Sequence, residues 1–175
     1  MERILNVGCG KHLLHRLHRH TPIEERGKKC GINNDRFPYG ANTFDRVFAE
    51  FVIAHLTNQS NLIKESRRVL RKGGTIEILT NNAGFWGVFG STFYGKYEEN
   101  NRRKGHPLDK QYSLFTPISL RNMLETFGFR EIRYEYLLTT PGREDLTPLP
   151  HRIAMRLLTL ITPRFSPHIR ITARK

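Results

Sequence analysis

The sequence is poor in cysteine and has no long apolar run. It contains only two cysteines in 175 residues, Cys9 and Cys30. Two cysteines cannot form the disulfide framework of a small secreted domain, and alone they supply too few ligands for a zinc site. No apolar run reaches the roughly 18 residues that a membrane-spanning helix needs. Residues 1–3 lead straight into an apolar segment, without the hydrophobic stretch and cleavage site of a signal peptide. We therefore expect a cytoplasmic protein without a transmembrane segment.

Acidic residues are also scarce. Sixteen Asp and Glu face 29 Lys and Arg, which gives a formal net charge of +13. Such an excess attracts phosphates, nucleic acid or anionic lipid, and it bears on partners rather than on fold. The basic residues are spread along the chain, so a generally basic surface is the plainer interpretation. The densest basic runs lie at residues 26–29, 67–72 and 102–104.

Four histidines lie close together, but their spacing does not favour a metal site. His12, His15, His18 and His20 include no pair four residues apart, the spacing that places two ligands on one helix face. A solvated basic helix face explains them better. We predict no metal.

Strand-like and helix-like segments alternate along most of the chain, which predicts an α/β domain with a largely parallel sheet covered by helices. The last helix and strand are expected to supply an antiparallel edge. We predict one domain over residues 1–175, with an insertion or lid at about 81–114. The predicted strands are 3–7, 46–51, 75–80, 131–139 and 168–174, with a weaker candidate at 29–32. The predicted helices are 11–20, 58–71, one starting at Thr116-Pro117, and 151–162. Lys72-Gly73-Gly74 is expected to end the second of them. The last helix either packs on the sheet edge or serves as a membrane-surface or partner helix.

The first strand runs into the turn Gly8-Cys9-Gly10, and a helical pattern follows. A strand that ends in Gly-x-Gly before a helix places backbone N–H groups and the positive helix end beside an open crevice. Glycine has no Cβ, so a ligand can approach the backbone closely. The same three residues could equally form a simple tight turn, and the motif alone does not decide.

A second block of sequence is more specific. Residues 42–49, 53–56 and 63–74 match, in order, spacing and residue type, the fourth strand, following helix and fifth strand of one enzyme family. Residues 6–10 match the family's opening turn, and residues 112–117 with Gly128-Phe129 match the stretch after the fifth strand. The chain thus resembles the compact, type 11-like members of the class I S-adenosylmethionine-dependent methyltransferases. The resemblance implies a Rossmann-like fold.

The resemblance also implies S-adenosylmethionine as the cofactor and a set of residues around it. Backbone amides would hold a carboxylate, amide side chains a base edge, and an aromatic ring a flat face. The glycine turn matches the segment that approaches the methionine part, and Asn6 stands where an acidic residue is frequent. The candidate cofactor-binding residues are Asn6, Gly8, Cys9, Gly10, Asn33 and Asn34 (beside the adenine), and Glu50 and Phe51 (facing cofactor and substrate).

The sequence departs from the family in its first half. His12 replaces the usual third glycine, and only the 34 residues 11–44 separate Gly10 from Asp45. That length is too short for the usual two further helices and two further strands. The acidic residue that binds the ribose has no convincing match, although Glu24, Glu25 and Asp35 are candidates. We expect a fold shortened in its first half.

Two functions remain open from the sequence. The first is methyl transfer to an unidentified acceptor, for which an anionic or RNA acceptor would suit the charge. The alternative is a catalytically degenerate domain that acts as a nucleic-acid-binding or partner-binding module. Methyl transfer needs little beyond alignment, so the catalytic residue is unknown, with His106 as a weak candidate. The substrate candidates are Trp86, Tyr94 and Tyr112, which could instead be aromatic residues of a lid packed on itself.

Overall fold

The computed structural model describes residues 2–7, 21–22, 31–85, 112–138, 153, 156–157 and 159–175. Within these residues the chain forms a six-stranded sheet with helices against it. The strands are β1 (Ile4–Val7), β2 (Thr21–Pro22), β3 (Phe44–Glu50), β4 (Leu70–Asn81), β5 (Arg130–Leu137) and β6 (His168–Arg174). The α-helices are α1 (Gln59–Val69), α2 (Ala83–Phe85) and α3 (Pro117–Thr126), and residues 153, 156–157 and 159–161 are also helical.

The sheet has the strand order β2-β1-β3-β4-β6-β5. Strands β2, β1, β3 and β4 are parallel, whereas β6 runs antiparallel to both of its neighbours. The predicted Rossmann-like, mostly parallel sheet with antiparallel pairing at one edge is therefore confirmed. The last strand lies one position inside that edge, and β5 is outermost. Along the sequence between β1 and β3, the two-residue β2 is the only strand of the sheet among the described residues.

One face of the sheet is apolar. Alternate residues of each strand point to the same face, and on this face most of them are apolar. Fully buried residues from three neighbouring strands, such as Val47, Ile78 and Ile171, pack there with Leu62 of α1 and Leu120 of α3 in one core. The opposite face carries polar residues. There Glu77 accepts from Arg46 at 2.8 Å and lies 3.4 Å from Arg170, and Arg170 pairs with Glu135 at 2.8 Å.

Helix α1 ends earlier than the sequence predicts. Leu70 is already extended and pairs with Phe44 of β3, so the helix stops at Val69 rather than at residue 71. Gly73 has the expected positive φ of 79°, but it lies inside an irregular start of β4. A Cβ on Gly74 would lie 2.8 Å from the Asp45 carbonyl oxygen. The two glycines therefore shape the entry into β4 and do not cap the helix.

The start of α3 is confirmed as predicted. Thr116 and Ser119 form a reciprocal capping box, and Pro117 occupies the first turn, where its missing N–H costs nothing. Buried Leu120 and Leu124 fix the inner face of the helix. The helix ends before Gly128, which takes a positive φ of 78°.

Two other predicted segments have mixed outcomes. The described part of the weak strand candidate 29–32 is residues 31–32. These residues begin a turn at Gly31 and do not form a strand. In the predicted helix 151–162, the described apolar side chains are between 52% and 80% exposed rather than packed on the sheet: Ile153, Leu157, Leu160 and Ile161. No helix among the described residues is long and apolar enough to cross a membrane.

A buried carboxylate fastens the segment before β3 to helix α1. Glu65 accepts the Phe37 N–H at 2.9 Å and pairs with Arg68 at 2.6 Å. Arg68 also donates to the carbonyl oxygens of Phe37 and Tyr39 at 3.0 and 2.8 Å. Burial raises the pKa of Glu65, but the bonds from Arg68 and the Phe37 amide outweigh burial and hold this pKa below its ordinary value.

We expect Glu65→Ala to lower the free energy of unfolding by about 3 kcal/mol, because it leaves a buried N–H and a half-buried guanidinium without their acceptor. The contribution is present above the ordinary glutamate pKa of 4.5 and is lost as the pH falls through the lower folded-state value. Urea unfolding at neutral and acid pH measures both effects.

The matched control is Glu125→Ala, which removes the exposed Arg121–Glu125 pair in α3. We expect a change of about 0.5 kcal/mol or less. Equal losses for the two variants would show that the buried network does not fasten this segment.

Candidate cofactor-binding edge

The strand order creates a crevice at one edge of the sheet. From β1 the chain passes to β2 on one side and then returns to β3 on the other side, so the order reverses at β1. Ligands of open α/β sheets bind outside the carboxyl ends of the strands at such a reversal. Val7 and Ala49 are register partners, so the carboxyl ends of β1 and β3 lie side by side.

Asn6 lies in β1, directly before this edge. It is 4% exposed and pairs in register with Phe48 of β3 and Pro22 of β2. Asn6 is therefore a buried polar residue in the strand next to the edge strand β2. The glycine turn predicted at Gly8, Cys9 and Gly10 lies outside the described residues.

Glu50 and Phe51 follow at the carboxyl end of β3. Phe51 has a φ of 50°, a conformation that is uncommon for a bulky side chain and occurs often at functional sites. Its N–H donates to the carbonyl of Leu79 at 2.7 Å, which fixes the bend to β4. The bend turns the Phe51 ring toward His168, with centroids 5.2 Å apart and planes at 78°.

His168 belongs to this edge, although the sequence does not indicate it. It begins β6 opposite Asn81, the last residue of β4, and its Nδ1 lies 3.2 Å from Asn81 Oδ1. An amide oxygen only accepts, so in this arrangement Nδ1 carries the proton and Nε2 presents a lone pair. Burial lowers the pKa of His168 to about 4, so the ring is neutral at pH 7. Its partners come from distant parts of the chain, and no short motif marks them.

The turn at residues 31–35 is held against the start of α1. Asn33 Oδ1 accepts the N–H groups of Thr57 and Asn58 at 2.9 and 3.0 Å. Asp35 Oδ2 accepts the Gly31 N–H at 2.6 Å. Asn33 is a predicted adenine contact, and Asp35 is a candidate ribose ligand. The side-chain oxygen of Asn33 and the carboxylate of Asp35 both hold this turn in place. Asn34, the second predicted adenine contact, is exposed.

Tyr112 is the one substrate candidate among the described residues. The residue is 52% exposed, and its N–H donates to the carbonyl of Ala54 at 2.8 Å. Ala54 lies in the short 3₁₀ helix Ile53–His55, just after the carboxyl end of β3. Tyr112 thus lies beside the segment that follows the carboxyl end of β3. Trp86, Tyr94 and His106 lie outside the described residues, as does most of the predicted insertion at 81–114.

Comparison with known proteins agrees with this geometry. Residues 26–78 match the family described as a methyltransferase domain. A SAM-dependent methyltransferase from Thermotoga maritima, described as a possible histamine N-methyltransferase, aligns with 100% of this chain and 83% of its own at 16% identity, with a TM-score of 0.62. A SAM-dependent methyltransferase from Archaeoglobus fulgidus aligns with 99% and 86% at 18% identity and the same TM-score of 0.62. The chain therefore has the fold of these SAM-dependent methyltransferases.

The methyltransferase fold does not by itself fix the reaction. The [4+2]-cyclase SpnF shares it, with a TM-score of 0.57 over 99% of this chain and 75% of its own at 18% identity. A search of curated proteins gives no match.

The neutral His168 of this methyltransferase fold gives a direct prediction. Its folded-state pKa lies below the unfolded value of 6.5, so the unfolded chain binds more protons between pH 6.5 and about 4. We expect the free energy of unfolding to fall by about 3 kcal/mol across that interval from this residue. His168→Gln should remove that part of the slope, as measured by urea unfolding at several pH values.

A direct readout is the NMR titration of the His168 ring. Asn81→Asp places a carboxylate beside Nδ1 and should raise the titration midpoint, because a nearby negative charge favours the imidazolium. A midpoint near 6.5 in the wild-type protein, unchanged in Asn81→Asp, would contradict the buried arrangement.

Proposed function

We propose that this chain is a single-domain cytoplasmic methyltransferase that transfers the methyl group of S-adenosylmethionine to an acceptor that is anionic or RNA. The observation that carries the proposal is the placement of Asn6, Glu50, Phe51 and His168 along one edge of the sheet, where β1, β3 and β4 end and β6 begins. This edge is the ligand-binding edge of the fold. The net charge of +13 supports the choice of acceptor class.

The residues present at the edge fit the chemical groups of the cofactor. When bound, S-adenosylmethionine supplies an already activated methyl group on a sulfonium. A carboxylate such as Glu50 suits hydroxyl or cationic groups, and an aromatic face such as Phe51 suits a cation or a flat ring. In the proposal, the glycine turn at Gly8, Cys9 and Gly10 contacts the methionine part, while Asn33 through its amide nitrogen and Asn34 contact the adenine.

In the proposed reaction, the protein aligns the acceptor with the cofactor and excludes water from the site. In the proposal, Phe51 and His168, whose rings are in contact, form one wall of the crevice, and the exposed Tyr112 lies at its rim. The neutral His168 ring, with its proton on Nδ1, would accept a hydrogen bond from an acceptor N–H or O–H through Nε2. We propose Trp86 and Tyr94 as further acceptor contacts, and His106 as a candidate base.

Titration calorimetry with S-adenosylhomocysteine tests the proposal. We expect binding in the micromolar range, and a loss of about ten- to a hundredfold in affinity for Glu50→Gln, which removes one charge-assisted hydrogen bond. The matched control is Glu135→Gln on the outer strand β5, which should bind like the wild-type protein.

The degenerate domain is the competing proposal, and one observation favours it. Asn33 and Asp35 already bond to the protein's own backbone, and no other described carboxylate replaces the missing ribose ligand in that turn. If this proposal holds, the folded protein gives no heat with millimolar S-adenosylhomocysteine. That result would refute the methyltransferase proposal and leave the fold intact.

A further inference from the structure

A second concave surface lies at the opposite, amino edge of the sheet. An open groove of about 390 Å³ lies between α1, the end of α3, the turn before β3 and the last residue after β6. Its volume is in the range of small-ligand pockets. It is lined by Ala41, Asn42, Lys64, Glu65, Arg67, Arg68, Phe127 and Lys175, and we call it the amino-edge groove.

The side-chain charges of the groove are mostly positive. Four side-chain cations line it, and Glu65 is the one side-chain carboxylate among its lining residues. Glu65 is buried and fully engaged by Arg68 and the Phe37 amide, so these two charges offset each other. Lys64, Arg67 and Lys175 have no side-chain carboxylate partner among the described groove residues.

Lys64 and Arg67 are the cations available to a ligand. They are exposed and lie three residues apart on α1, a spacing that makes them neighbours on one helix face. Neither has an ion pair among the described residues, and the Arg67 guanidinium lies over Gly128, where an added Cβ would come within 3.2 Å of Nη2. Because Gly128 has no side chain, it leaves room for the Arg67 guanidinium at the rim of the groove.

Lys175 and Asn42 close the floor of the groove. The Lys175 ammonium donates to the Leu70 carbonyl at 2.5 Å and to Asn42 Oδ1 at 2.9 Å. Burial lowers the pKa of Lys175, and the positive charge of Arg67 lowers it further. Two cations are therefore held close enough to repel each other, an arrangement that a bound anion would stabilise.

The groove also has an aromatic wall, and positive charge continues beyond it. Phe127 is half-buried and packs on the core from the end of α3. Exposed Lys72 lies two residues after Leu70, and exposed Arg130 pairs in register with Arg174, next to Lys175. Basic side chains beside an aromatic ring are the usual means of binding single-stranded nucleic acid.

We propose that the amino-edge groove binds the phosphate backbone of single-stranded RNA, with Lys64 and Arg67 contacting phosphate and Phe127 contacting a base or sugar. This inference goes beyond the proposed function. It concerns the edge of the sheet opposite the crevice, and it requires no S-adenosylmethionine.

The test is the affinity of the full chain for a fluorescein-labelled single-stranded RNA of about 12 nucleotides, within the site size of such grooves. Anisotropy titrations from about 50 to 200 mM salt give the affinity and its salt dependence. We expect Lys64→Glu and Arg67→Glu each to weaken binding about tenfold. Each should also reduce the magnitude of the slope of log K against log salt by about 0.7.

Arg133→Glu is the matched control. Arg133 is exposed on β5, has no ion pair among the described residues, and does not line the groove. We expect its affinity to stay within about twofold of wild type. The conservative Arg67→Lys should retain most of the binding, and the thermal midpoint of each variant checks folding.

Three results would overturn the proposal. The first is an equal loss of affinity for Arg133→Glu and Arg67→Glu, which would show non-specific attraction. The second is no RNA binding at the lowest salt. The third is displacement of the RNA by inorganic phosphate or uridine monophosphate at equal phosphate concentration, which would show a site for a free phosphate. S-adenosylhomocysteine affinity should be the same in Lys64→Glu and wild type, so failure here is distinguishable from failure of the proposed methyltransferase function.

Discussion

Parallel pairing of β1, β3 and β4 determines where this sheet can offer a ligand-binding edge. In parallel strands the carboxyl ends meet at one edge, and the reversal of strand order at β1 opens that edge to a ligand. Most apolar residues of these strands, such as Leu5, Val47 and Ile78, are fully buried, so a one-residue shift of register would expose them to water. Packing in the core therefore fixes which side chains reach the crevice.

The two ends of the sheet have different characters. At the carboxyl edge, Phe51 and His168 make a wall that is aromatic and neutral, because burial keeps the imidazole uncharged. At the amino edge, Lys64 and Arg67 stand exposed above the buried Glu65–Arg68 pair. One edge suits a molecule that must be oriented away from water, and the other suits a solvated polyanion.

The sequence predicts those parts of the fold that depend on nearby residues. The start of α3 at Thr116-Pro117 and the strand His168–Arg174 need only local patterns, and both are confirmed. The end of α1 was predicted too late, because pairing of Leu70 with Phe44 overrides a local helix-ending signal. The contact of His168 with Asn81 and the bonds from Asn33 to Thr57 and Asn58 could not be predicted, since they join distant segments. The glycine turn, which carries much of the resemblance, remains a prediction.

A ligand that binds at the carboxyl edge of β1 and β3 should perturb the backbone amides there. Their chemical shifts can be recorded by NMR with and without S-adenosylhomocysteine. We expect the largest changes at Asn6, Val7, Glu50 and Phe51, and none at Lys64 or Arg67. Changes confined to the amino edge, or no changes at saturating ligand, would show that the cofactor does not bind at this edge.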